Sequence, residues 1–192
     1  STDGGTTWST TAPTATEGAN TVSVREVDTA GNASAATDIT FTLDTTAPVV
    51  AVNDITLTND TTPELTGTVD DANATVVVTI GGVDYPAVNN GDGTWTLADN
   101  AVAALADGTT TVSVSATDVA GNEGTGSGTV VVDATAPDAP AVALTTDSGT
   151  AADLITNDGA LTVTPNEATS TIEYSTDGGT TWSTTAPTAT EG

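Results

Sequence analysis

The chain has 192 residues, with one Lys or Arg against 26 Asp and Glu, no His, no Cys and no Met, for a net charge of -25. A surface of that sign repels nucleic-acid phosphates and anionic lipid, because both are recognised first by Lys and Arg displacing counterions. The absent Cys removes disulfides and thiolate metal sites, which leaves core packing and hard, oxygen-liking cations as the available fastenings.

The first element is Ser1–Trp8, STDGGTTW, in which Asp-Gly-Gly supplies a tight turn between polar strands. It resembles the Asp box, SxDxGxTW, a structural hairpin of sialidases. A sialidase needs several boxes at blade spacing and a cluster of arginines, whereas here there is a single Arg and the second box, Ser175–Trp182, lies 174 residues on. Thr21–Asn32, TVSVREVDTAGN, follows as an alternating strand running into a loop, and Arg25 within it is expected to make an ordinary surface ion pair. Residues 1–46 read as the C-terminal half of a module, carrying its last three strands.

Residues 47–136 read as one complete module. Alternation and turn punctuation predict strands at 49–52, 63–69, 75–80, 83–88, 94–98, 110–117 and 128–132, broken at Gly81-Gly82, Asn89–Gly93 and Asp107-Gly108. Ala101–Ala106 is expected to form one short helical turn. The expected core is Leu65, Val76, Val78, Trp95, Leu97, Val112 and Val114. Residues 137–192 read as the N-terminal half of a further module, with its first three strands and one later strand.

Self-comparison supports this division. Ser1–Gly18 recurs identically at Ser175–Gly192, giving a period of 174 residues. Within it, TVSVSATDVAGN at Thr111–Asn122 matches Thr21–Asn32, and Asp133–Pro137 matches Asp44–Pro48 after 89 residues. The fold class is therefore all-β, with tandem immunoglobulin-like sandwich modules of about seven strands in an extended rod. One figure opposes a fold: 21 Val, 8 Leu, 5 Ile and 1 Phe make about 18% of the chain, a value met in disordered acidic chains. Sustained period-2 patterning opposes disorder in turn, and bound cations would reconcile the two.

Both modules end in VxxxDxAGN followed by DxTAP, at Val24–Asn32 with Asp44–Pro48 and at Val114–Asn122 with Asp133–Pro137. These motifs resemble the bacterial immunoglobulin-like repeats that fill the extender regions of large type I-secreted adhesins of the RTX class. The resemblance implies a secreted, cell-surface, calcium-stiffened rod that holds an adhesive tip away from the cell.

In such a sandwich the loop at Asp70–Asn73, the loop at Asp118–Asn122 and the incoming linker from Asp44 share one end. Asp44, Asp70, Asp71, Asp118 and Asn122 are therefore candidate calcium ligands, because bare carboxylates would repel and a dication taking six to eight oxygens relieves that repulsion. In the other module Glu26 and Asp28 occupy the matching inward row and Asn32 matches Asn122, and Asp133 begins the next joint. A second candidate is the longer segment with Asp147, Asp153, Asn157 and Asp158, whose shorter counterpart offers Asp54, Asn59 and Asp60; its spacing is not that of an EF-hand. The competing reading is of solvated surface acids.

With no His, Cys or Lys, an enzyme is not expected. The expected partners are neighbouring modules of the same array, joined head-to-tail, with no nucleic acid and no direct membrane insertion. Each half-module should leave an apolar strand edge open, to be completed by the complementary half from an adjacent chain or from a continuous array. The alternatives are a self-assembling extracellular filament and a carbohydrate- or protein-binding module.

Overall fold

Thr and Val alternate through much of the chain, and β-branched side chains favour a pleated backbone over a helix. In the computed structural model, which describes residues 1–187, Ser1–Ala134 and Thr135–Gly192 form separate units. The final residues of the duplicated stretch, 188–192, lie outside the described residues.

The first unit opens with an antiparallel pair, β1 (Gly18–Val24) and β2 (Thr37–Leu43), with Gly18 opposite Leu43 and Val24 opposite Thr37. Eight strands then build a sandwich: β3 (Val50–Val52), β4 (Ile55–Thr58), β5 (Leu65–Val69), β6 (Thr75–Ile80), β7 (Val83–Asn89), β8 (Thr94–Leu97), β9 (Gly108–Thr117) and β10 (Glu123–Val132). Hydrogen bonding runs in the order β3-β5-β8-β7-β6-β9-β10-β4. Strand β7 is the corner, since Ala87 pairs with Val76 of β6 while Val88 and Asn89 pair with Thr96 and Trp95 of β8. The order therefore folds into two facing layers, an immunoglobulin-like sandwich.

Between the layers lie the inward rows of each strand: Leu65 and Val69, Val76, Val78 and Ile80, Trp95 and Leu97, Val112, Val114 and Ala116, Val130 and Val132. All seven expected core residues are buried. Trp95 is completely enclosed, and its indole N–H donates to the Ala51 carbonyl at 2.9 Å. That bond passes over Gly67, where a Cβ would overlap both the Ala51 oxygen and the Trp95 ring. The inward row of β10 continues the theme. A Cβ at Gly124 or Gly126 would overlap the carbonyls of Pro48 and Val50, and one at Gly128 would crowd Val52 and Asp54. Glycine lets β3 lie directly on the backbones of both layers.

The seven strands expected in residues 47–136 are present, and the first unit shows four differences from expectation. Strand β4 was not anticipated; it is four residues long and pairs parallel with β10, Val130 opposite Ile55. Strand β10 starts at Glu123 and not at Gly128, because its glycines mark close packing where they read as a loop. Ala101–Ala106 is irregular and forms no helical turn. Asn100 takes a left-handed φ of 62°, Asn100 and Leu105 donate backbone N–H groups to Thr62 and Thr61, and Val102 turns into the core. In residues 1–17 no strand forms before β1, although Ser1 and Ser23 exchange two backbone bonds of 2.9 Å.

In the second unit β11 (Ala141–Leu144) pairs antiparallel with β12 (Leu161–Thr164), Ala141 opposite Thr164. Among the described residues the further strands expected there reduce to one bridge between Tyr174 and Ser183. A strand with a single neighbour and no facing layer is marginal. Among the described residues no helix is long and apolar enough to cross a membrane.

Replacing Gly67 with Ala is expected to lower the melting temperature of the sandwich, at a cost of about 1–3 kcal/mol for a forced overlap in a packed interior. Thermal unfolding followed by circular dichroism checks this; an unchanged midpoint would mean that β3 can lift off Trp95 freely.

Candidate cation-binding joint

The DxAGN motif is a self-contained latch. In the loop after β9, Asp118 Oδ1 accepts the Asn122 backbone N–H at 2.8 Å and Oδ2 accepts the Asn122 side-chain amide at 2.8 Å. After β1, Asp28 holds Asn32 in the same way at 2.7 and 2.8 Å. Glycine is required before each Asn, since Gly31 and Gly121 sit at φ 91° and 93°. Hydrogen bonding from Asn32 and Asn122 holds both carboxyls below the ordinary value of 3.8.

This latch reaches the linker. The Asn122 side-chain amide also donates to the Asp44 carbonyl at 3.0 Å. Asp44, Asp70, Asp71 and Asp118 line one shallow cleft of about 320 Å³ with Thr46, Ala47 and Pro48. Each carboxylate has a structural bond already. Asp44 takes the Thr46 N–H, Asp70 the Val49 N–H at 2.7 Å, and Asp71 the Asn73 N–H. A carboxylate offers about four lone-pair sites, so capacity for a cation remains.

Two supports were not legible as site residues. Glu17 grips the linker by accepting the Thr45 N–H and hydroxyl at 3.0 and 2.9 Å, and the Thr45 N–H above all lowers its pKa. The Asn89 amide donates to the carbonyls of Asp71 and Ala74, bracing the acidic loop. Glu17 lies in the duplicated stretch, the one signal that could have raised it.

Elsewhere the candidates are spread out. Glu26, Asp28 and Asn32 share a cleft with Val27 and Ser34. Asp133 sits at the other end of the sandwich, its N–H donating to Thr58. In the second unit, Asp147 Oδ2 accepts the Ala152 N–H at 2.7 Å, while Oδ1 is buried with no hydrogen-bond partner. Ala152 and Leu154 take left-handed φ values of 67° and 59° beside it. Asp153 accepts the Ile155 N–H, and the Asn157 N–H donates to Ser148. Among the described residues no group of three or more His, Cys, Asp or Glu is gathered closely enough to hold a metal ion. The donors are nevertheless all oxygen, the chemistry a hard cation takes, and the orphaned Asp147 oxygen is one such donor.

The Asp boxes close on themselves. Asp3 accepts from Ser1 and from the Thr7 backbone and hydroxyl, and Trp8 returns its indole N–H to the Gly5 carbonyl. Asp177 repeats the pattern with Ser175 and Thr181, whose hydroxyl above all lowers its pKa to about 2. Among the described residues Arg25 has no carboxylate partner for the expected ion pair; its guanidinium lies 4.0 Å from the Trp8 ring centroid, a cation–π stack. The cavity beside them, about 530 Å³, has Trp8, Val22, Val24 and Val27 among its lining residues.

Residues 51–134 match the family model described as Bacterial Ig-like domain. A search of curated proteins gave no match. Among solved structures, the chain is 33% identical to a tetra-tandem repeat from the extending region of a large adhesion protein, over 68% of this chain and 35% of that one, with a TM-score of 0.45. It is 29% identical to a 1.5-MDa bacterial ice-binding adhesin, over 60% of this chain and 43% of that one, TM-score 0.33. It is also 29% identical to a Ca2+-stabilized adhesin of an ice-binding Antarctic bacterium, over 65% and 34%, TM-score 0.38. The chain thus spans well under half of each.

A carboxyl whose folded pKa is depressed contributes stability above its unfolded value, near 3.8 for Asp118, and that contribution is lost as pH falls through the folded value. The Asn122 amide resonances should therefore hold from pH 7 to about 4 and move only below 3.8. In Asn122→Ala the Asp118 titration should rise towards 3.8; an identical titration in the two proteins would contradict the latch.

Proposed function

We propose that this chain, in which residues 51–134 are a bacterial Ig-like domain, is an extender segment of a repetitive bacterial surface adhesin, a stalk outside the cell that calcium stiffens at the module joints. The observation that carries the reading is the identical recurrence of Ser1–Gly18 at Ser175–Gly192. Repetition of whole modules suits a spacer whose length is its function. A ligand-binding or catalytic module instead needs a concave pocket with converging polar groups, whereas the cavity beside Trp8 is lined largely by Val22, Val24, Val27, Ala12 and Pro13.

Calcium would be held at the joint by Asp44, Asp70, Asp71 and Asp118, with Asn122 fixing the linker beside them. Glu26, Asp28 and Asn32 would serve the equivalent joint of the other module, and Asp133 the joint that follows. Asp147, Asp153 and Asn157 would hold a second ion, taking up the orphaned Asp147 oxygen. When bound, the ion supplies charge neutralisation to a chain of net charge -25.

Neighbouring modules of the same array are the partners in this reading. Val24 and Ile39 of the first unit and Val142 and Trp182 of the second are each more than half exposed. A chain continuing past residue 192 with the same period would follow β11 and β12 with copies of β1 and β2. Separate chains offering the same faces would complete one another head-to-tail, an open assembly that does not close on itself. If so, weight-average mass in sedimentation rises with concentration and Ile39→Asp suppresses the rise; a monomer at all concentrations rules out the assembly.

Small-angle scattering tests the joint. The maximum dimension is expected to be longer and better defined in millimolar calcium than in chelator, and equal profiles would refute stiffening. Calcium should also raise the melting temperature, since binding to the native state alone adds roughly 2.7 kcal/mol at a hundredfold excess over Kd; identical melting in chelator would leave the acids as solvated surface groups.

A further inference from the structure

The chain enters the sandwich and leaves it along the same edge. From Pro48 to Thr58 it runs beside β10, with Pro48 against Gly124, Val50 against Gly126 and Val52 against Gly128. It ends in the parallel pairing of β4 with β10, Val130 opposite Ile55 and Val132 opposite Thr58. The incoming segment and the outgoing strand therefore point the same way, and the entry at Pro48 and the exit at Asp133 lie at opposite ends of a ten-residue strand.

We infer that this edge is a force-bearing clamp. Tension drawn between Pro48 and Asp133 slides β3 and β4 lengthwise against their neighbours, so the bonds that hold them must break together and not in sequence. Those bonds are specific. Asn53 N–H donates to the Thr66 carbonyl at 2.9 Å, the Trp95 indole to the Ala51 carbonyl at 2.9 Å, and Asp133 N–H to the Thr58 carbonyl at 2.9 Å. Where the chain passes from one layer to the other, after Asn53 and before β4, a side chain spans the gap. Asp54 Oδ1 accepts the Thr129 N–H at 2.7 Å and the Thr129 hydroxyl at 3.3 Å.

Asp54 is thus a positioning residue that keeps the clamp continuous from Pro48 to Asp133. The glycines of β10 serve the same end, because side chains there would hold β3 off the strand. The clamp is a property of topology and needs no ion, so it stands or falls separately from calcium at the joints.

The experiment is single-molecule pulling of the full 192-residue chain, in chelator throughout, in two geometries. Tethered by its ends, the chain should show one dominant rupture that releases roughly 260 Å of contour, from a sandwich of about 86 residues at up to 3.6 Å each less its folded span. Tethered through Asn59→Cys and Ala134→Cys, which flank the Thr58 end of the β4–β10 pair, the same strands peel from one end, and the rupture force should fall by about half or more. Asp54→Ala should lower the end-to-end force while leaving the peeling force unchanged, and Asp54→Asn, which keeps the acceptor, should restore it. Equal forces in the two geometries would overturn the clamp. So would an Asp54→Ala loss of the same fraction in both, which would mark a general loss of stability.

Discussion

Everything in the sandwich depends on the close approach of β3 to two layers at once. A strand whose side chains were all flanked by other side chains would sit about 10 Å from the facing sheet. Here Gly67 on one side and Gly124, Gly126 and Gly128 on the other remove the intervening atoms, and the Trp95 indole takes the Ala51 carbonyl as its hydrogen-bond partner. One buried aromatic thereby satisfies its own polar handle and pins the first strand. A chain poor in Leu, Ile and Phe gains a sealed interior from this arrangement without large side chains.

That placement also decides where the charges fall. Pinning β3 brings Pro48, and with it Asp44, to the end of the sandwich that carries the loops at Asp70–Asn73 and Asp118–Asn122. The resulting crowd of carboxylates is held by backbone N–H groups and by Asn122, so the loops are pre-shaped even though the acids are not drawn into a closed cage. Partial pre-organisation of this kind suits a joint that stiffens when an ion arrives.

The sequence was most readable where period and punctuation agree. Thr75–Ile80 runs from the Asp70–Asn73 loop to the Gly81-Gly82 turn and Gly108–Thr117 alternates up to the loop with Gly121, and all of the core residues inferred from them are buried. It was misleading where a residue type has two uses. Glycine in Gly124–Gly128 reads as loop, yet there it is the mark of close packing inside a strand. Ala101–Ala106 has helix-forming composition, but it must fill the end of the sandwich with Val102 and connect two strands in a few residues, and that tertiary demand wins. Strand β4 is too short for alternation to register, and its parallel pairing with β10 is not a local property at all. Of the joint, the acids were legible from topology and the DxAGN repeat, whereas Glu17 and Asn89 act through long-range bonds that no spacing reveals.

The central claim is that the acids at Asp44, Asp70, Asp71 and Asp118 form a calcium joint in a stalk. Calorimetric titration of calcium into the full chain and into Asp70→Asn/Asp71→Asn tests it most directly, because each of these carboxylates uses one oxygen as a hydrogen-bond acceptor, which Asn keeps while it removes the charge. The account predicts saturable binding in the parent chain and the loss of one class of site in the variant, with the fold retained by circular dichroism. Identical isotherms for the two proteins, or no binding to the parent chain, would contradict it.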